Sequence, residues 1–152
     1  MTIDCCLITT NAQSKLPFLE QCVASLAPYT DMFTQKIMSV DLFPDGVFLD
    51  WYDRFRNDGW TVLSKTVAPR GSITLNQKRV IDHARSDMIL YVEDDIRVRA
   101  LPKQSTIEKI FTQGIIHGKK AGFVCFNTHV FKHFTQNPPH VIDAICNLDN
   151  YI

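Results

Sequence analysis

The stretch Met88-Ile89-Leu90-Tyr91-Val92-Glu93-Asp94-Asp95-Ile96 is a short apolar run that closes on three adjacent carboxylates. Its length and its Ile, Tyr and Val content favour a strand, and apolar side chains on both parities favour the buried strand of a parallel sheet. Ala84-Arg85-Ser86-Asp87, just ahead, reads as the end of a helix and a turn. Open α/β sheets bind their ligands outside the carboxyl ends of the strands. Two unit charges about 4 Å apart repel by about 1 kcal/mol in water and about 4 kcal/mol at an effective dielectric near 20. Three carboxylates crowded at a sheet edge therefore need a positive partner. A hard divalent cation, Mn²⁺ or Mg²⁺, supplies one, above all when it carries a diphosphate. The plainer alternative is a turn whose acids are solvated by water.

Working outward, apolar periodicity alternates between strand and helix along most of the chain. Cys5 to Thr10 reads as a first strand, with a polar break from Asn11. Leu16, Leu19, Cys22, Val23 and Leu26 recur at helical spacing, which predicts a helix from Pro17 to Leu26 that Pro28 ends. Lys36 to Asp41 is a second strand, followed by a Pro44-Asp45-Gly46 turn. A helix from Phe48 to Asn57 carries Trp51, Tyr52 and Phe55 and stops at Asp58-Gly59. Trp60 to Ser64 is a third strand, and Ser72 to Arg85 a helix with Ile73, Val80, Ile81 and Ala84 on its inner side. After the carboxylates come a helix between Pro102 and His117 and a fifth strand from Ala121 to Phe126. The tail contains Pro138-Pro139 and a short helix from Val141 to Cys146. The expected fold is a single α/β domain over residues 1–152, a mostly parallel twisted sheet with helices on both faces.

The bulk composition fits that reading. At 152 residues the chain is long enough for a substantial core, and 45% hydrophobic with 21% charged residues is ordinary for a globular protein. Sixteen basic and sixteen acidic side chains cancel, so no long-range attraction to nucleic acid or an anionic membrane is expected. No apolar run approaches the roughly 20 residues of a bilayer span. The Met1-Thr2-Ile3-Asp4 start does not read as a signal peptide. Cys5, Cys6, Cys22, Cys125 and Cys146 show no C-x-x-C spacing, which suits reduced thiols in a cytoplasmic protein. A zinc site would have to add His129 and His133 to them.

Several α/β chemistries are disfavoured by position. Strand one ends in Thr9-Thr10-Asn11 rather than the acid of receiver domains or of haloacid-dehalogenase-like phosphatases. Neither G-x-x-x-x-G-K-[ST], nor G-x-G-x-x-G, nor G-x-S-x-G is present. What remains is an acid closing strand two, Asp41, and the acidic triplet after strand four.

With those residues in place, residues 3 to about 99 resemble the GT-A glycosyltransferases, the nucleotide-diphospho-sugar transferase superfamily, in a family-2-like form. The resemblance is carried by Leu7-Ile8-Thr9-Thr10-Asn11, by Leu19-Glu20-Gln21-Cys22-Val23-Ala24-Ser25-Leu26, by Val40-Asp41, and by Ala84 through Asp95 as the approach to a D-x-D motif in its E-D-D form. It implies a donor site for a UDP- or GDP-sugar. Asp95 would be the closest ligand of Mn²⁺ or Mg²⁺. Glu93, on the same face of an extended strand as Asp95, would contact the ribose or a metal-bound water. Asp94 would lie toward the sugar. Asp41 would accept hydrogen bonds from the base or ribose beside Thr9, Thr10 and Asn11, unless it only caps the following turn. Arg70 would pair with phosphate, or remain a solvated loop residue. Asn76 is two positions off the family's polar helix residue, and Lys78 and Arg79 read as helix surface, with one of them in reach of phosphate.

The chain departs from the family in length, lacking much of the usual C-terminal half, with 26 residues after Phe126. Asp143 and Asp149 are the late carboxylates available as a catalytic base, and His129, His133 and His140 the late imidazoles. Three functions follow from the resemblance. One is a compact, metal-dependent glycosyltransferase acting on an unknown acceptor, with a partner chain or a second copy covering an exposed apolar face. Another is a non-catalytic GT-A-like domain that serves as a binding or interaction module. The last is a nucleotidyltransferase, disfavoured by the absence of a G-x-G-[TS]-R loop after strand one.

Overall fold

A computed structural model describes residues 1–46, 50–67, 71–113, 115–116 and 119–120. They divide into two compact units, Met1–Arg99 and Ala100–Ile152. In the first, β1 (Ile3–Thr10), α1 (Leu16–Leu26), β2 (Gln35–Leu42), α2 (Asp50–Asn57), β3 (Trp60–Thr66), α3 (Ile73–His83) and β4 (Met88–Glu93) follow one another. The strands form a sheet of order β3-β2-β1-β4, and every pairing in it is parallel. The expected α/β class is thus present.

Alternation along the central strand divides the core in two. Cys5 and Leu7 of β1 face one side, where Leu19, Cys22 and Leu26 of α1 and Tyr52 and Phe55 of α2 cover them. Cys6 and Ile8 face the other side and meet Val80 of α3. Both faces of β1 are therefore buried, which explains its unbroken apolar run. Helices lie on both faces of the sheet, as expected.

Some elements differ from the sequence reading, each for a physical reason. The α1 helix stops at Leu26 as expected, but the chain beyond it is not a plain break: it tightens into a 3₁₀ segment, Ala27–Met32, that accommodates Pro28 in its first turn. In α3, Ile73 and Ile81 are 65% and 53% exposed, while Asn76 and Val80 are buried. The helix is rotated so that a polar side chain faces the sheet, because Asn76 reaches the Thr9 carbonyl there. The β4 strand is an edge strand among the described residues, and Ile89 is 38% exposed, because α3 packs over β1 and β2. Gly59 ends α2 in the left-handed region, at φ 82°, where its missing Cβ removes the strain.

In the second unit, α4 runs from Gln104 to Gln113. It ends before His117 because Ile115–Ile116 forms β5, antiparallel to β6 at Lys119–Lys120. The expected strand Ala121–Phe126 and the tail beyond it lie outside the described residues. Among the described residues no helix is long and apolar enough to cross a membrane.

The amino end of the sheet is tied by one carboxylate. Asp4 is fully buried and accepts hydrogen bonds from Gln35 Nε2 (2.7 Å), Ser86 Oγ (2.5 Å) and the N–H groups of Arg85 (2.8 Å) and Ser86 (3.0 Å). It thereby joins β1 to the start of β2 and to the turn between α3 and β4. Burial pushes its carboxyl upward, but the bonds from Gln35, Ser86 and Arg85 outweigh that, and it titrates below the ordinary value. Its stabilisation is therefore present in full above about pH 4 and is lost as the pH falls through the lower, folded value. Asp4→Asn is expected to lower stability at pH 7 by about 1–3 kcal/mol and to flatten the acid dependence. Urea melts at pH 7 and pH 3 check this. A variant as acid-sensitive as the wild type would place the lability elsewhere.

Candidate functional site

The strand order places one crevice above the others. From β1 the chain moves to β2 and β3 on one side, then returns to add β4 on the other. The order reverses between β1 and β4, the position at which open α/β sheets take their ligands. Register sets the carboxyl ends side by side, with Thr10 opposite Asp41 and Ile8 opposite Glu93. Thr9, Thr10, Asn11, Asp41, Glu93, Asp94 and Asp95, far apart in sequence, thus meet at one edge of the sheet.

The three acids of the triplet differ in environment. The strand ends at Glu93, and Asp94 and Asp95 occupy a turn closed by a bond from the Ile96 N–H to the Glu93 carbonyl (3.0 Å). Strand alternation therefore does not govern Asp95, contrary to the expectation that it shares a face with Glu93. Glu93 is half-buried and accepts a bond from the Tyr91 hydroxyl (3.3 Å), which itself accepts from Gln77 Nε2 (3.0 Å). Burial pushes the Tyr91 hydroxyl up to about 12, so it stays a donor. Asp95 is exposed.

Asp94 is buried and both its oxygens are engaged. Thr9 Oγ1 donates to Oδ2 at 2.7 Å and Lys15 Nζ to Oδ1 at 2.9 Å. Lys15 stands in the 3₁₀ turn Gln13–Lys15 between β1 and α1, so the chain that leaves β1 delivers the cation to the end of β4. Burial alone would lower its ammonium; the bond to Asp94 and the charges of Asp94, Asp95 and Glu93 hold it above the ordinary lysine value. Lys15 has no motif to mark it. Its only sequence signal is a basic residue in the turn that follows the strand carrying Thr9.

Asp41 and Asn11 are also committed internally. Arg79 Nη2 donates to Asp41 Oδ1 at 2.8 Å, and the Ser72 N–H to Oδ2 at 3.1 Å. Arg79 further donates to Ser39 Oγ (2.7 Å) and Asn76 Oδ1 (3.3 Å), and its side chain is 20% exposed. It is a part-buried cation turned toward the sheet rather than part of the open helix surface. Ser72 in turn caps α3 by accepting from the Leu75 N–H. Asn11 pairs with residue 43 in both senses, accepting from its N–H (2.7 Å) and donating to its carbonyl (3.0 Å). Of the expected nucleotide-contacting groups, Thr10, Glu93 and Asp95 keep solvent access. Arg70, Asp143, Asp149, His129, His133 and His140 lie outside the described residues.

Among the described residues no three His, Cys, Asp or Glu side chains are grouped to hold a metal by themselves. Cys5, Cys6 and Cys22 are free and buried, and burial pushes the Cys6 and Cys22 thiols up to about 12, which leaves them inert. Asp94 and Asp95 add to the shift at Cys22.

A separate groove of about 390 Å³ lies between α1 and α2, floored by Val23, Leu26, Phe55 and Trp60. Two of its charged side chains pair with each other and a third packs on its floor. Glu20 meets Arg54 at 2.8 Å, and Lys36 lies over the Trp60 ring and donates to the Asp58 carbonyl. The groove lies apart from the carboxylates gathered at the β1 and β4 ends. No protein-family model and no curated protein sequence matches this chain.

Two sets of substitutions test these assignments. A methyl at Gly46 would collide with the Asn11 amide, which its two bonds hold in place, so Gly46→Ala is expected to cost about 1–3 kcal/mol. Arg79→Met strands a buried carboxylate and is expected to cost about 3 kcal/mol or more. Lys78→Met, beside it but exposed and paired with Asp82, is expected to change stability by less than about 0.5 kcal/mol. Denaturant melts read all three; equal effects at 78 and 79 would contradict the buried pair.

Proposed function

We propose that the crevice between the ends of β1 and β4 binds a nucleoside-diphosphate sugar together with Mn²⁺ or Mg²⁺, and that the protein is a GT-A-like glycosyltransferase. The observation that carries this reading is the turn Glu93-Asp94-Asp95 at the topological switch point. Charge supports it as well. Three carboxylates against the one ammonium of Lys15 leave two negative charges, the amount one divalent cation neutralises.

The donor set fits such an ion. Mg²⁺ is commonly held by one or two carboxylates plus the phosphates of its ligand, with water completing the octahedron. Asp95, exposed at the turn, and Glu93, half-buried on the strand, are the two carboxylates in position. Asp94 is the inner residue whose bonds to Thr9 and Lys15 shape the turn, in place of a direct contact with the sugar. The metal, when bound, stabilises negative charge that develops on the departing nucleoside diphosphate. In the transfer the bond from the anomeric carbon to phosphate oxygen breaks. A bond to the acceptor oxygen forms, and the acceptor's proton passes to a base. Thr10 and the backbone at the end of β1 line the nucleotide side of the crevice.

A second reading is favoured by a specific observation. Asp41, Asp94 and Asn11 have their polar atoms satisfied within the protein, as in a domain that uses this edge for structure. That reading is a non-catalytic binding or interaction module.

Isothermal titration of UDP, with GDP as the control base, separates the two. In Mn²⁺ one nucleotide is expected to bind, and EDTA or Asp95→Ala is expected to weaken it at least about tenfold. Failure of both nucleotides to bind in Mn²⁺ would overturn the transferase. Binding indifferent to EDTA and to Asp95 would favour the module.

A further inference from the structure

The Lys15 ammonium is held in place yet not used up. Its bond to Asp94 Oδ1 occupies one of three N–H donors, and the hydrogen bonds among the described residues give it no second acceptor. The side chain of Asp94 is 7% exposed and that of Lys15 38%, so the pair has a buried anionic end and a cationic end open to solvent. The Thr9 hydroxyl fixes the far oxygen of the same carboxylate. Asp94, unlike Asp95, therefore serves as a mount for a cation.

We infer that Lys15 is a phosphate-contacting residue of this crevice, positioned by Asp94 and Thr9 so that its two remaining N–H groups meet the phosphate oxygens of the ligand. For a nucleotide ligand this rests on the donor-site reading above; for a phosphate group alone it does not. An ammonium on a flexible stem binds phosphate as a point charge, and a salt bridge that pre-sets the stem lowers the ordering entropy of that contact. The same arrangement makes Lys15 a selector against neutral ligands. An uncharged sugar or nucleoside leaves the two donors exposed beside three carboxylates, whereas a diphosphate satisfies them. The mouth of the crevice thus carries two kinds of positive contact, one supplied by the chain and one by the divalent ion.

The test is titration of UDP, inorganic pyrophosphate and uridine in Mn²⁺ against wild type, Lys15→Gln and Lys15→Arg. Lys15→Gln is expected to weaken UDP and pyrophosphate at least about tenfold and to leave uridine unchanged, while Lys15→Arg stays within about threefold of wild type. Because Lys15→Gln strands the Asp94 charge, the double variant Lys15→Gln/Asp94→Asn keeps a neutral hydrogen-bonded pair. It is expected to show the same loss with a wild-type melting temperature. UDP binding equal in wild type and in both neutral variants would overturn the role of Lys15 and leave the donor site standing. Lys15-dependent pyrophosphate binding with no gain for UDP over pyrophosphate would support Lys15 and overturn the nucleotide. No binding of either anion to the wild type would overturn both.

Discussion

Two carboxylates are buried at the carboxyl edge of this sheet, Asp41 and Asp94, and each is tolerated there because a single cation reaches it. A carboxylate removed from water without a partner costs several kcal/mol, so the paths of the chain that bring Arg79 and Lys15 to these positions are constrained. Arg79 arrives on α3 and fixes that helix against β2. Lys15 arrives in the turn after β1 and fixes the start of α1 against the end of β4. The shape of the edge follows from these two pairs. Gly71 is part of it, since a side chain there would approach within 2.5 Å of the Asp41 carboxylate.

That constraint also sorts the acids by task. Burial and complete hydrogen bonding mark Asp4, Asp41 and Asp94 as parts of the framework, while Asp95 and Glu93 keep solvent access. In sequence the three acids of the triplet look equivalent. A tight turn immediately after Glu93 makes them different, by sending Asp94 inward toward Thr9 and leaving Asp95 outside.

The alternation of periods 2 and 3.6 was enough to read β1, α1, β2, β3 and β4 to within a few residues, because each buries a continuous apolar stripe. The parallel arrangement followed from the helices between the strands. Period alone read part of the inner face of α3: Val80 and Ala84 pack on the sheet as expected, but Ile73 and Ile81 are exposed and Asn76 takes a place on that face. A buried amide that bonds to the Thr9 carbonyl outweighed two exposed isoleucines, and hydrophobicity does not encode such a bond. Of the site, the carboxylates were legible as a cluster and Thr9 and Asp41 as its neighbours. Lys15 and Arg79 were not legible as its cations, because their partners lie 79 and 38 residues away and only the three-dimensional strand order brings them close.

The central position of β1 has a consequence for how the molecule is made. Its hydrogen bonds to β4 join residues about 85 positions apart, as with Ile3 opposite Met88. At about 5–20 residues per second, a ribosome takes roughly 4–17 s to extend the chain from one partner to the other. During that interval β1, buried along nearly its whole length in the folded protein, has β2 on one side and an open row of N–H and C=O groups on the other. Contacts so distant in sequence also slow refolding from denaturant. Closure of that row by β4 is the step that brings Asp94 to Lys15, so the nascent chain joins the four described strands and assembles this edge in the same event.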